Sequence, residues 1–245
     1  MSSCLCGKVL MAQGLISLFF DYLCTKFRSM PVLFKKHLNN DTLIGVWHIT
    51  ETAEELLTLA NLNEREQHTL ETYKNETRKK QWLSYRALIR ELVEENYHIT
   101  YTDFGKPFLQ ISKKNKHVSI SHAGTYAAVI INEFFPVGID IEKSSPRIVR
   151  VSQRFLSDDE LGFMDSANHL NHLTICWTAK EALFKLHGNT CPDFKEQIPL
   201  SPFAYCETGE IESHIILDDT IEAYKVYFTK INDYFLAFVT DTKKG

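Results

Sequence analysis

The 245-residue sequence predicts an α+β protein made of two similar α/β subdomains related by a pseudo-two-fold. Three observations carry that expectation. Runs rich in β-branched and aromatic residues alternate with stretches of helical periodicity, and the last three strand-like runs are separated only by turn residues, as in an antiparallel meander. In addition, landmarks of the first half recur in the second: Gly45 and Gly138, the helix-start patterns at Asn63 and Ser157, and Trp82 and Trp177 are spaced 93, 94 and 95 residues apart. Beyond the tryptophans, Ala87-Leu88 matches Ala182-Leu183 and Arg90 matches Lys185. Chance likeness between two α/β stretches is the competing explanation. The expected division is an extension over 1–29, a first subdomain over 30–135 and a second over 136–245. The extension carries Lys8 and an apolar run from Val9 to Phe20 that Asp21 interrupts, too short to span a bilayer, and translation is expected to begin at Met30.

Taken in order, Pro31 to Phe34 leads into a first strand and Leu43 to Ile49 forms a second, with Glu51 to Ala60 as a short helix. Asn63-Glu64-Arg65-Glu66 has the form of a capping box, in which the asparagine accepts from an otherwise unpaired amide and the glutamate reaches back. From Arg78 to Tyr97, the residues Trp82, Tyr85, Ile89, Leu92 and Val93 fall at helical spacing. Three strands follow, at His117 to Ile120, Tyr126 to Ile131 and Val137 to Ile141, with turns at Ser121-His122-Ala123-Gly124 and 132–136. A second capping box begins at Ser157, and a long helix runs from Leu170 to Leu186 with Gly188 just past its end as C-cap. The meander comprises Ile211 to Leu217, Ala223 to Lys230 and Tyr234 to Thr240, turning at Asp218-Asp219 and Asn232-Asp233.

Composition excludes some functions. A net charge of −4 does not suit a protein whose main task is coating nucleic acid. The six cysteines show no Cys-x-x-Cys spacing and no dense framework, so reduced thiols in a cytoplasmic protein are expected. The chain is expected to contact no membrane.

Chemistry concentrates in two blocks. In Val137-Gly138-Ile139-Asp140-Ile141-Glu142, strand alternation puts both carboxylates on one face and the isoleucines on the other. In Trp177-Thr178-Ala179-Lys180-Glu181-Ala182-Leu183-Phe184-Lys185, Glu181 and Lys185 lie one helical turn apart. Hard oxygen donors without His or Cys suit Mg2+ shared with substrate phosphates. The residues alone leave open a solvated strand edge and a surface ion pair worth a few tenths of a kcal/mol. In the first half, Trp47, Ile49 and Arg86 stand where the second has Asp140, Glu142 and Glu181. A site built at the interface of the halves is therefore one-sided, with carboxylates from one half and basic groups from the other.

With Arg78 through Arg90, Gly105-Lys106-Pro107 and Ile120-Ser121-His122, these blocks resemble the 4'-phosphopantetheinyl transferases, in particular the larger Sfp-type members. The resemblance implies that family's fold, a pseudo-dimer within one chain, and a monomeric enzyme that moves 4'-phosphopantetheine from coenzyme A to a serine of an apo acyl or peptidyl carrier protein. It implies Mg2+ at Asp140, Glu142 and Glu181, and catalysis by Glu181 and Lys185. Lys180 and Lys185 would meet coenzyme A phosphates, Ser121 and His122 its 3'-phosphate, and Lys106 and Pro107 its adenine, with Arg78 and Arg86 as further nucleotide contacts. A magnesium-dependent nuclease is the competing enzyme reading, although its acid and lysine usually stand two apart on a strand. A carrier-protein or nucleotide-binding module without catalysis is the non-enzymatic one.

Overall fold

The computed structural model describes residues 32–188, 192–217 and 220–241. The extension over 1–29, the start at Met30 and the turn at Asp218-Asp219 lie outside the described residues. The chain forms a mixed α/β structure with two antiparallel sheets.

The six-stranded sheet comes from the first part of the chain. β1 (Val32–Asn39) and β2 (Thr42–His48) form a hairpin, and three helices follow: α1 (Ala53–Ala60), α2 (Glu64–Glu71) and α3 (Glu76–Val93). The chain then returns through β3 (Tyr97–Tyr101), β4 (Pro107–Ile111), β5 (Lys114–Ala123) and β6 (Tyr126–Asn132), giving the order β1-β2-β6-β5-β4-β3. Leu83, Leu88 and Ile89 of α3 are buried with Trp47 of β2 and Val129 of β6 in one core.

The four-stranded sheet is built later. β7 (Val137–Lys143) leads through α4 (Arg147–Val151) and α5 (Asp158–Gly162) into the long α6 (His169–His187), and β8 (Thr208–Leu217), β9 (Thr220–Ile231) and β10 (Tyr234–Thr240) complete the order β7-β10-β9-β8. A second core gathers Leu173, Leu183, Val226 and Phe235. Gly138 lets α6 lie directly on β7, since a Cβ there would stand 1.8 Å from the carbonyl oxygen of Ala182. The helix ends at Gly188, whose φ of +65° is the left-handed C-cap conformation.

Both capping boxes expected from sequence are present. Asn63 Oδ1 accepts from the Glu66 amide at 3.0 Å and Ser157 Oγ from the Glu160 amide at 3.3 Å, while each glutamate accepts from the cap residue's own N–H.

Three local expectations need correction. The helix expected to reach Tyr97 stops at Val93, where Glu94 turns left-handed (φ 55°) and donates its amide to the Arg90 carbonyl. The β3–β4 hairpin was not foreseen, because its five-residue strands carry polar and half-exposed positions that blur the alternation. Ser121-His122-Ala123 is not a turn but the end of β5, paired with β6 as far as Ala123 opposite Tyr126. These polar residues belong in the strand because the serine hydroxyls meet backbone groups of β7. Ser119 Oγ accepts from the Ile139 amide at 3.1 Å and Ser121 Oγ from the Ile141 amide at 3.2 Å. Among the described residues, no helix is long and apolar enough to cross a membrane.

Candidate functional site

A cleft of about 440 Å³ opens where β5, β7 and α6 converge. β7 contributes Asp140 and Glu142, α6 contributes Trp177, Glu181 and Lys185, and β5 contributes Ser121 and His122. The strand period puts both β7 carboxylates on the cleft face, and the helix period brings round Trp177, Glu181 and Lys185, each four residues after the last.

Asp140 is the best-fixed side chain of the group. Its Oδ1 accepts from Ser121 Oγ and from the Lys185 ammonium, each at 2.7 Å. Its Oδ2 is buried and has no hydrogen-bond partner. Burial, with Asp140 beside it, raises the pKa of Glu142. Burial and the same neighbour push Glu181 to about 7, with Lys185 opposing the shift and Glu142 adding to it. His122 is pushed below its ordinary value by burial and by the Lys185 charge. Its ring lies parallel to Tyr85, with centroids 6.3 Å apart.

Among the described residues, no three His, Cys, Asp or Glu side chains already stand together as a metal cluster. The donor set nevertheless fits a hard divalent cation. Three carboxylates face one cleft, one buried oxygen is orphaned, and burial with the neighbouring Asp140 charge raises the pKa of both Glu142 and Glu181.

An adjoining cavity of about 630 Å³ shares Pro107, Ile120 and Lys185 with the cleft, and Phe104 and Phe184 add apolar walls. Lys106 lines it with its aliphatic stem, because the ammonium donates to the carbonyls of Leu186 and His187 at the end of α6. Arg78 is exposed on the first turn of α3, near enough to His122 to lower its pKa.

Two basic residues expected at the site are elsewhere. Lys180 is fully buried, with its ammonium on both carboxylate oxygens of Glu160 (2.7 and 2.8 Å) and on the Phe194 carbonyl (2.7 Å). Arg86 is buried on the core side of α3, pairs with Glu66 at 3.0 Å and lies 3.3 Å over the Trp82 ring. In both cases a capping-box glutamate has claimed the cation. Ser121 lies in the cleft wall, but its hydroxyl is taken up by Asp140 and the Ile141 amide. Sequence reasoning missed Tyr85 and Tyr101 as cleft residues. Tyr85 was visible only as part of an apolar helical stripe, and Tyr101 ends the unforeseen β3.

A strand-borne Asp-x-Glu facing a helix-borne Glu-x-x-x-Lys is the arrangement in the part of the chain that matches a known family. Residues 136–239 match the family model of the 4'-phosphopantetheinyl transferase superfamily. Among individual proteins, the chain is similar to the 4'-phosphopantetheinyl transferase Sfp of Bacillus subtilis (strain 168), at 27% identity over 112 residues, which cover 42% of this chain and 49% of Sfp. It is 26% identical over 159 residues to the 4'-phosphopantetheinyl transferase gsp of Aneurinibacillus migulanus, covering 59% of this chain and 63% of the relative. It is also 27% identical over 166 residues to the human L-aminoadipate-semialdehyde dehydrogenase-phosphopantetheinyl transferase, covering 59% of this chain and 53% of that protein. The chain thus spans about half to three-fifths of the length of these relatives. The matched segment contains Asp140, Glu142, Glu181 and Lys185; Arg78, Lys106, Ser121 and His122 precede it.

Proposed function

We propose that this protein transfers 4'-phosphopantetheine from coenzyme A to a serine of an apo acyl or peptidyl carrier protein, releasing adenosine 3',5'-bisphosphate. The observation that carries this reading is the convergence of Asp140, Glu142, Glu181, Lys185 and His122 on one cleft, with the buried Asp140 Oδ2 unpartnered. Within it, residues 30–135 and 136–245 act as two subdomains of a pseudo-two-fold arrangement in a single, monomeric chain.

Asp140, Glu142 and Glu181 would hold Mg2+, whose contribution when bound is to neutralise charge on the pyrophosphate. The remaining work falls to the chain itself. Lys185 sits where its ammonium can meet pyrophosphate oxygens and stabilise charge on the departing bisphosphate. Glu181 takes the proton of the carrier serine as its oxygen forms a bond to the β-phosphorus and the bond from that phosphorus to the bridging oxygen breaks. His122 in the cleft wall and Arg78, whose charge helps lower the His122 pKa, would meet the 3'-phosphate, and Pro107 with the stem of Lys106, lining the adjoining cavity, would meet the adenine. Lys180 and Arg86 have no part in ligand binding in this reading. The acidic carrier would approach past α4, where Arg147, Arg150 and the following Arg154 are exposed just beyond β7.

The test is transfer of a fluorescent pantetheine from labelled coenzyme A to an apo carrier protein, with Mg2+ added or chelated. Labelling by the wild-type protein, lost in Asp140→Ala and Glu181→Ala variants that melt like the wild type, is the expected result. Labelling that survives either substitution removes the proposed carboxylate site.

A further inference from the structure

We infer that Ser121 is a positioning residue for Asp140, fixing the carboxylate that the proposed function gives to Mg2+, rather than a ligand-binding hydroxyl. The inference rests on that functional reading and sharpens one part of it. The direction of the hydrogen bonds decides the matter. A serine hydroxyl has one proton to donate, and it also accepts. Ser121 Oγ accepts from the Ile141 amide at 3.2 Å, and its own proton goes to Asp140 Oδ1 at 2.7 Å. Both capacities are used inside the protein, so no proton is left for a phosphate oxygen.

The consequence falls on Asp140. Its Oδ1 is pinned between Ser121 and Lys185, which leaves Oδ2 as the unpartnered oxygen. Lys185 sits on a helix and has a flexible stem, whereas Ser121 is anchored in β5 and tied to the backbone of the same strand that carries Asp140. Removing the hydroxyl would leave the flexible ammonium as the sole partner of Oδ1, free to draw the carboxylate toward itself. Partners that orient a metal-binding side chain typically change metal affinity by about 10- to 100-fold when removed.

The fold supplies a matched control. Ser119, two residues earlier on the same face of β5, accepts from the Ile139 amide at 3.1 Å in the same way, but it touches no carboxylate. Ser119→Ala therefore removes an equivalent strand-to-strand hydrogen bond without removing a partner of Asp140, although Ser119 also lines the adjoining cavity.

Mg2+ is titrated calorimetrically into wild-type, Ser119→Ala, Ser121→Ala and Ser121→Thr proteins, each with coenzyme A bound. Coenzyme A affinity is measured separately in the presence of a chelator, and melting temperatures accompany both. A Mg2+ Kd about tenfold weaker in Ser121→Ala, restored in Ser121→Thr and unchanged in Ser119→Ala, with metal-free coenzyme A binding unaltered in both Ser121 variants, supports the assignment. Equal losses in Ser119→Ala and Ser121→Ala overturn it, since the effect would then be that of the seam between strands. Weakened metal-free coenzyme A binding with unaltered Mg2+ Kd also overturns it, and returns Ser121 to the phosphate. Failure of the wild-type protein to bind Mg2+ at all would instead remove the reading of the carboxylate site, and the Ser121 assignment with it.

Discussion

The two parts of the chain use the same bolt in two strengths. In the first, Glu66 closes the capping box of α2 and pairs with Arg86 on the long helix α3; in the second, Glu160 closes the capping box of α5 and pairs with Lys180 on the long helix α6. The surroundings differ. Arg86 spreads its charge over the face of Trp82 and also donates to the Trp82 carbonyl. Lys180 is a compact charge whose protein partners are Glu160 and one carbonyl, and Glu160 additionally accepts from the amides of Leu200 and Ser157. Burial lowers the Lys180 pKa, and Glu160 works against that shift. The difference predicts that weakening the glutamate costs Arg86 less than Lys180, because a delocalised guanidinium on an aromatic face is less costly to desolvate than an ammonium.

The largest expected effect breaks the stronger bolt. Glu160→Gln should cost about 3–5 kcal/mol in denaturant unfolding, because it leaves a buried ammonium without its counter-charge. Glu66→Gln should cost about 1–3 kcal/mol, the range for leaving one buried donor poorly satisfied. Equal losses would show that Trp82 does not shelter Arg86.

Next come the two glycines beneath the long helices. A Cβ at Gly138 would strike the backbone of α6, at 1.8 Å from the Ala182 oxygen, whereas one at Gly45 meets the Leu88 side chain of α3 at 2.9 Å and Leu92 at 3.1 Å. Side chains can repack and a helix backbone cannot. Gly138→Ala should therefore cost about 3 kcal/mol and Gly45→Ala about 1 kcal/mol, the two ends of the usual overpacking range. Gly138→Ala should also impair the proposed transfer beyond its loss of stability, since it moves Glu181 and Lys185 relative to Asp140 and Glu142.

The smallest effect is a dependence on pH. His172, at the start of α6, is buried and its Nδ1 accepts from the Asp165 amide at 3.0 Å. Burial holds its pKa below the ordinary 6.5, with Asp165 opposing and His169 adding to the shift. Well above pH 6.5 the imidazole is neutral whether the chain is folded or not, so there it contributes no pH dependence. As pH falls below that value, the unfolded chain takes up a proton that the folded chain refuses, and stability declines. His172→Asn should flatten that decline in melts between pH 7 and 5; an unchanged slope would assign the decline to other histidines.

Local signals were legible in the sequence, and destinations of side chains were not. Capping boxes depend on residues three apart, so Asn63 and Ser157 announced their helices. Alternation placed Asp140 and Glu142 on one strand face, and spacing by four placed Glu181 beside Lys185. Whether a cation meets a ligand or a carboxylate depends on which distant element packs against it, and nothing local marked Glu160 as the partner of Lys180, twenty residues on. Ser121 and His122 looked like turn residues because polar side chains beside a glycine usually are. The hydroxyls that justify a polar strand end find their partners on β7, which pattern reading along β5 does not reveal.

The serine seam bears on how the chain survives its own folding. β7 is the outer strand of the four-stranded sheet, with buried Val137, Ile139 and Ile141 along it. An uncovered border of this kind is a template for pairing with another molecule. Ser119 and Ser121 occupy the amides of Ile139 and Ile141 on that border, so the six-stranded half shields the four-stranded half from self-association. β5 precedes β7 in the chain, so during synthesis the strand that covers this border emerges before the border itself.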